Sequence, residues 1–111
     1  MDWINLYRND SLVQMDEYET ESGNAHGLIE TVRYKWAFLR EKGFVASAPI
    51  EILRTGGGKT TRVVEIFRWS SQQARKDADR DQRYNAFQKQ IKSFTSGDMK
   101  VDQFTQIIRG F

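Results

Sequence analysis

The segment Thr61 to Trp69 constrains the fold more than any other stretch of the chain. Its β-branched and aromatic residues favour an extended backbone. Alternation then puts Val63, Glu65, Phe67 and Trp69 on one side, and Val64 and Ile66, between Arg62 and Arg68, on the other. Both sides are largely apolar, so this strand needs cover above and below. Helices can supply one cover. The other has to come from something else.

Two helical segments flank the strand. From Ala25 to Lys42, apolar residues recur at Ala25, Leu28, Ile29, Val32, Trp36 and Leu39, the spacing of one helical face. Gly43 follows where a helix C-cap belongs. After the strand, Ser70 with Gln73 three residues on has the form of a capping box. In the helix that follows, Ala74 and Ala78 point one way, while Tyr84, Phe87, Ile91 and Phe94 form a stripe rotated away from them. One straight helix cannot bury both sets against one surface, so a break is predicted near Asp79-Arg80-Asp81. Further strands are predicted over Leu12 to Tyr18, closed by Glu21-Ser22-Gly23-Asn24, and over Ile50 to Arg54 after Pro49. A last strand, Val101 to Arg109, follows Ser96-Gly97-Asp98.

The order β-α-β-β-α-β, with right-handed helical crossovers, specifies an α+β fold on the ferredoxin-like βαββαβ plan. Its four-stranded antiparallel sheet carries both helices on one face, the second helix broken. A chain of 111 residues has room for one core. It is read as a single domain over 1–111, with an N-terminal extension over 1–11 and the ferredoxin-like core over 12–109. The second face of the sheet is left open. With Val63, Phe67 and Trp69 assigned to it, a monomer would carry an apolar patch, and packing against an identical sheet is its simplest burial. A homodimer through the sheet face, closing an α/β barrel, is therefore expected. Tyr34 and Phe38 lie nearly opposite the apolar stripe of the first helix. The segment Trp3, Ile4, Leu6, Tyr7 is expected to fold over them, the alternative being a surface for a different protein.

Charge excludes some partners. The net charge is +2, but Lys and Arg are mixed with Asp and Glu, as in Arg75-Lys76-Asp77-Ala78-Asp79-Arg80-Asp81. A phosphate-binding face needs one sign clustered, so no nucleic-acid partner is expected. No apolar run approaches the roughly 18–20 residues of a membrane span. Met1 to Asn5 has neither a basic leader nor an apolar stretch, and there is no cysteine to form disulfides or thiolate metal sites. The chain is expected to be cytoplasmic. His26 is the single histidine, which leaves no two-histidine metal site and makes a surface or capping role the default. Ser70 and Ser71 have no histidine nearby in sequence, and a capping role suffices for them. Gly56-Gly57-Gly58-Lys59-Thr60 resembles the tail of a phosphate loop, yet Leu53 stands where that loop needs glycine. It also joins two strands, so a glycine-rich hairpin turn explains it.

Val63-Val64-Glu65-Ile66-Phe67-Arg68-Trp69-Ser70-Ser71, followed by an interrupted helix, resembles the dimeric α/β-barrel proteins of the antibiotic-biosynthesis-monooxygenase-like group. The likeness covers Leu12 to Arg109 in plan and is specific over Val63 to Phe87. It implies two ferredoxin-like protomers closing a barrel around a pocket. It further implies cofactor-independent or haem-linked oxidation of small aromatic or polyketide-type compounds. In the haem-degrading branch a tryptophan near the end of the third strand is joined by a histidine on the next helix. Trp69 matches the first, but Ala78-Asp79-Arg80-Asp81 holds no histidine, which argues against haem ligation. No cofactor is assigned.

Glu65 is the candidate catalytic residue. On the side assigned to the barrel interior a carboxylate is desolvated, which raises its pKa and suits acid–base work. The structural alternative pairs it with Arg54 across the hairpin, or puts it nearer the sheet edge. Asp16 and Tyr18 on the first strand, with Phe67 and Trp69, are the candidate pocket residues for a small aromatic ligand. The competing function is a non-enzymatic homodimeric module, in which the sheet face only assembles the dimer.

Overall fold

A computed structural model describes residues 12–46, 50–55, 58–97 and 99–105. The elements are β1 (Leu12–Glu21), a 3-10 turn (Ser22–Asn24), α1 (Ala25–Glu41), β2 (Glu51–Arg54), β3 (Thr60–Trp69), α2 (Gln72–Asp79), α3 (Gln82–Phe94) and β4 (Lys100–Thr105). The sheet is antiparallel in the order β2-β3-β1-β4, the ferredoxin-like arrangement. β1 runs three residues past its predicted end at Tyr18. The predicted strand residues beyond 105 lie outside the described residues, as do Pro49, Gly56, Gly57, Asp98 and the segment holding Trp3, Ile4, Leu6 and Tyr7.

The helix ends follow from local chemistry. Gly43 adopts a φ of 75°, and the Phe44 amide reaches back to the Leu39 carbonyl at 2.9 Å, closing α1. The predicted break between α2 and α3 falls at Arg80 and Asp81, where the Asp81 carboxylate accepts from the amides of Arg83 and Tyr84. That cap starts a new helix whose apolar stripe is free to turn from that of α2. Ser71, not Ser70, caps α2 by accepting from the Ala74 amide. Ser70 instead donates its hydroxyl to the Gly43 carbonyl, tying the end of β3 to the turn after α1. At Gly27 a Cβ would stand 2.9 Å from the Phe94 ring, so this glycine lets α1 and α3 approach closely.

The faces of the sheet are the reverse of the sequence expectation. Val63, Glu65, Phe67 and Trp69 point at the helices and are 0–5% exposed within one chain. No second copy is needed to cover them. The open face is made instead by Val13 and Met15 of β1 with Val64 and Ile66 of β3, all half-buried, flanked by Leu53 and Phe104. Phe38, expected to be an exposed aromatic, is also buried, whereas Tyr34 is exposed.

The core between sheet and helices falls into two apolar clusters. One gathers Phe38, Leu39, Val45, Phe67, Trp69, Ala78 and Tyr84; the other gathers Tyr18, Leu28, Val32, Val63 and Ile91. In sequence, each of four elements places a polar residue between its contributions to the two clusters. On β3 Glu65 falls between Val63 and Phe67, and on α1 Lys35 falls between Val32 and Phe38. On α3 Gln88 falls between Tyr84 and Ile91, while on β1 Asp16 precedes Tyr18. A polar layer divides the core.

Candidate functional site

The layer starts from strand register. Asp16 and Glu65 are direct partners across β1 and β3, so their inward side chains stand side by side. Both are fully buried, as is Lys35, which reaches them from α1. The Lys35 Nζ donates to Glu65 Oε1 at 2.9 Å and lies 3.9 Å from Asp16 Oδ2. It also donates to Gln88 Oε1 at 3.3 Å. The Tyr18 hydroxyl sits 3.2 Å from Asp16 Oδ2 and 3.3 Å from Glu65 Oε1. Gln14 links this group to the aromatic end, its amide nitrogen donating to Asp16 at 2.9 Å while its carbonyl accepts from Trp69 Nε1 at 2.8 Å. Gln103 of β4 donates to the same carbonyl at 3.0 Å.

Aromatic rings wall the layer on one side. Trp69 packs edge-on against Phe67 and Tyr84, with ring centroids 5.2 and 6.0 Å apart. The Lys35 ammonium stands 5.6 Å from the Phe67 ring centroid. Toward solvent, the α1–α3 seam is closed by Phe38 against Phe87 at 5.9 Å, with the Arg83 guanidinium 5.1 Å from the Phe38 ring. Gln88 is half-buried and is the outermost of the four polar residues of the layer.

Burial raises the pKa of Glu65 from an ordinary 4.5 to about 7. The Lys35 charge opposes that rise, while the charge of Asp16 and a hydrogen bond with it add to it. Burial and then the two carboxylates push Tyr18 well above its usual range, and Tyr84 moves up for the same reasons. A carboxyl group that titrates near neutrality can both give and take a proton at physiological pH.

All five residues singled out from the sequence, Asp16, Tyr18, Glu65, Phe67 and Trp69, meet in this one region. Glu65 is not paired with Arg54, which lies opposite Val63 and is exposed. Sequence reasoning missed Gln14, Lys35, Tyr84 and Gln88 as members of the site. Lys35 left a readable signal, because Leu28, Val32, Lys35 and Leu39 keep helical spacing with a charge at a core position. At the α2–α3 junction, where the haem-degrading branch would have its histidine, Ala78 fills the core and the Asp81 carboxylate is engaged as a helix cap. His26 is exposed, and among the described residues no three His, Cys, Asp or Glu gather to hold a metal ion. Among the same residues no helix is long and apolar enough to cross a membrane.

No protein-family model and no curated protein matches the sequence. Solved structures do match in shape. A putative antibiotic biosynthesis monooxygenase from Nitrosomonas europaea superposes with a TM-score of 0.72 at 10% identity, over 91% of this chain and 94% of that one. SnoaB, a cofactor-independent oxygenase from Streptomyces nogalater, gives 0.73 at 13% identity over 90% and 96%. The ActVA-Orf6 monooxygenase of Streptomyces coelicolor, in complex with Nanaomycin D, gives 0.68 at 20% identity over 91% and 89%. The chain has the ferredoxin-like fold of the antibiotic biosynthesis monooxygenase-like proteins.

Proposed function

We propose that this chain is a homodimeric small-ligand protein whose polar layer performs acid–base chemistry on a small aromatic or polyketide-type compound, in the manner of a cofactor-independent oxygenase. The observation that carries this reading is the burial of Asp16, Lys35 and Glu65 at 0% exposure in mid-core. Such a group costs stability, since replacing buried ion pairs by apolar residues is often neutral or stabilising by about 1–4 kcal/mol. Charges set into a small core against that cost fit chemistry better than architecture. Glu65 is the group poised to take a proton from a phenolic or enolic hydroxyl, leaving an electron-rich anion. Phe67, Trp69 and Tyr84 would hold the flat ring beside it. The structural neighbours, a cofactor-independent oxygenase among them, point the same way.

A second copy is the partner proposed for the open face of the sheet, where Leu53 is 56% and Phe104 52% exposed beside Val13, Met15, Val64 and Ile66. Sedimentation at micromolar concentration should return a dimer of the 13.0 kDa chain, and a clean monomer would remove the barrel. For the ligand, the test is a panel of hydroxylated polycyclic aromatics read by tryptophan fluorescence and by oxygen uptake. Binding that quenches the Trp69 signal, with turnover reduced in Glu65→Gln, is the expected result. A panel that neither binds nor consumes oxygen would sink the reading.

The depth of the layer favours one competing reading. Asp16, Tyr18, Lys35 and Glu65 are all sealed, so a ligand reaches them only when the helices part from each other or from the sheet. A non-enzymatic homodimeric module needs no such opening. Its polar layer would only fix how the helices sit on the sheet. Slow exchange of the Trp69 indole proton under all ligand conditions would favour it.

A further inference from the structure

We propose that Asp16 and Glu65 share a single proton, and that Lys35 is the positioning residue that keeps the pair singly protonated around neutral pH. Two carboxylates and one ammonium leave one net negative charge in the centre of the core, and an uncompensated buried charge is costly. The other groups facing the pair do not offset it. From β1 come Gln14 and Tyr18, and from α3 come Tyr84 and Gln88, all uncharged near neutrality. On α2, Arg75 lies 3.9 Å from Asp79 and is partly exposed. One added proton makes the Asp16–Lys35–Glu65 group neutral.

Geometry says where that proton goes. Tyr18 has one hydroxyl hydrogen but stands within reach of both Asp16 Oδ2 and Glu65 Oε1, so it satisfies one of them at a time. Glu65 Oε2 is buried with no hydrogen-bond partner. As a carboxylate, Glu65 would leave that oxygen unsatisfied at a cost of about 1–3 kcal/mol or more. As an acid, Glu65 can donate to its cross-strand partner Asp16, and hydrogen bonding with Asp16 favours the protonated form. Lys35 sits closer to Glu65 than to Asp16, at 2.9 against 3.9 Å, and its charge limits the pair to one proton. Such a pair can release its proton and take one back, which deepens the acid–base reading above and rests on it for any use in turnover.

The test is infrared difference spectroscopy of the free protein, following the carboxylic-acid carbonyl band with pH and identifying it by its loss in Glu65→Gln. The wild-type band should titrate with a midpoint near 7. Asp16→Asn removes the neighbouring negative charge and should lower the midpoint by roughly one pH unit or more, tenfold in proton affinity. Lys35→Met removes the positive charge and should raise it by a similar amount. Opposite shifts show that both neighbouring charges act on this proton, which a merely structural role for Lys35 would not produce. An unchanged midpoint in Asp16→Asn, or no titrating acid band in the wild type, overturns the proposal. Should Asp16→Asn and Lys35→Met fail to fold, proton uptake by the wild type against Glu65→Gln still decides the matter. Its folding must take up a proton between about pH 5 and pH 7 that Glu65→Gln does not, and equal uptake overturns the proposal. None of these measurements involves a ligand. A shared proton with no turnover would remove only the ligand reading.

Discussion

The two faces of the sheet invert the usual polarity of a protein. On β1 the residues turned toward the helices are Gln14, Asp16, Tyr18 and Thr20, all buried. Those turned away are Val13, Met15, Glu17 and Glu19, half-buried or exposed. The inner face is polar at its centre and apolar around it. The outer face is apolar at its centre, with charges such as Arg62, Glu17, Lys100 and Asp102 toward its margins. Buried charges cost stability, and an exposed apolar patch is the kind of surface that partners or ligands usually cover. Period-two alternation separates two faces but does not say which is inward when the inner face is polar at its centre and the outer face apolar.

The largest effects should come from the inner face. Lys35→Ala strands two carboxylates in the core, where breaking a buried pair costs about 3–5 kcal/mol. Protonation of the carboxylates can relieve that loss, so it should shrink as the pH falls toward about 5. Trp69→Ala should cost a comparable 3–5 kcal/mol or so, since a large ring with 1% exposure is lost along with its bond to Gln14. Denaturant unfolding measures both. A loss below about 1 kcal/mol in either would mean that the inner face is looser than its burial says.

The outer face should answer in assembly before stability. Ile66→Glu puts a charge at its centre, opposite Met15 and Glu51 in register. The expected outcome is a folded monomer by sedimentation with a retained circular dichroism spectrum. A dimer that survives the charge would move the interface elsewhere.

The same inversion explains what could be read from the sequence. Helix spacing, the glycine cap at Gly43 and the two divergent stripes around Asp79 to Asp81 specify the fold, because they depend on local geometry that tertiary contacts did not override. The five candidate residues fall together because they share the inward side of two paired strands. The face they belong to was misread. Val63, Phe67 and Trp69 looked like an interface because they are apolar, while Val64 and Ile66 looked ordinary between two arginines. Lys35 was missed because a lysine on a helix is taken for surface unless its position within the stripe is weighed. Gln14 and Gln88 carry no signal in a single sequence that distinguishes them from solvated residues.

A smaller effect follows from Glu65 itself. Its pKa is raised in the folded protein from 4.5 to about 7. The stabilisation from its bound proton is therefore complete below the unfolded value and is lost as the pH rises through about 7. Across that window the wild type should lose on the order of 3 kcal/mol from this one group, and Glu65→Gln should flatten the slope. Equal slopes in the two proteins would mean that Glu65 titrates like a surface carboxylate.

The smallest effect sharpens the contrast between an ion pair inside and one outside. Arg62 Nε lies 3.7 Å from Glu17 on the outer face, with side chains 58% and 30% exposed. Water screens that pair and ordering two long side chains offsets much of the attraction, so Arg62→Ala should change the stability of the chain by no more than about 0.5 kcal/mol. The same substitution has a second reading if a partner chain covers this face. Burial at an interface would strengthen the pair, and its loss would then appear in the dimer dissociation constant and grow at low salt. Measuring Arg62→Ala alone and on the Ile66→Glu background separates the two. An effect on the dimer that vanishes in the monomer places Arg62 under the partner, and no effect in either leaves it at the solvated edge of the sheet.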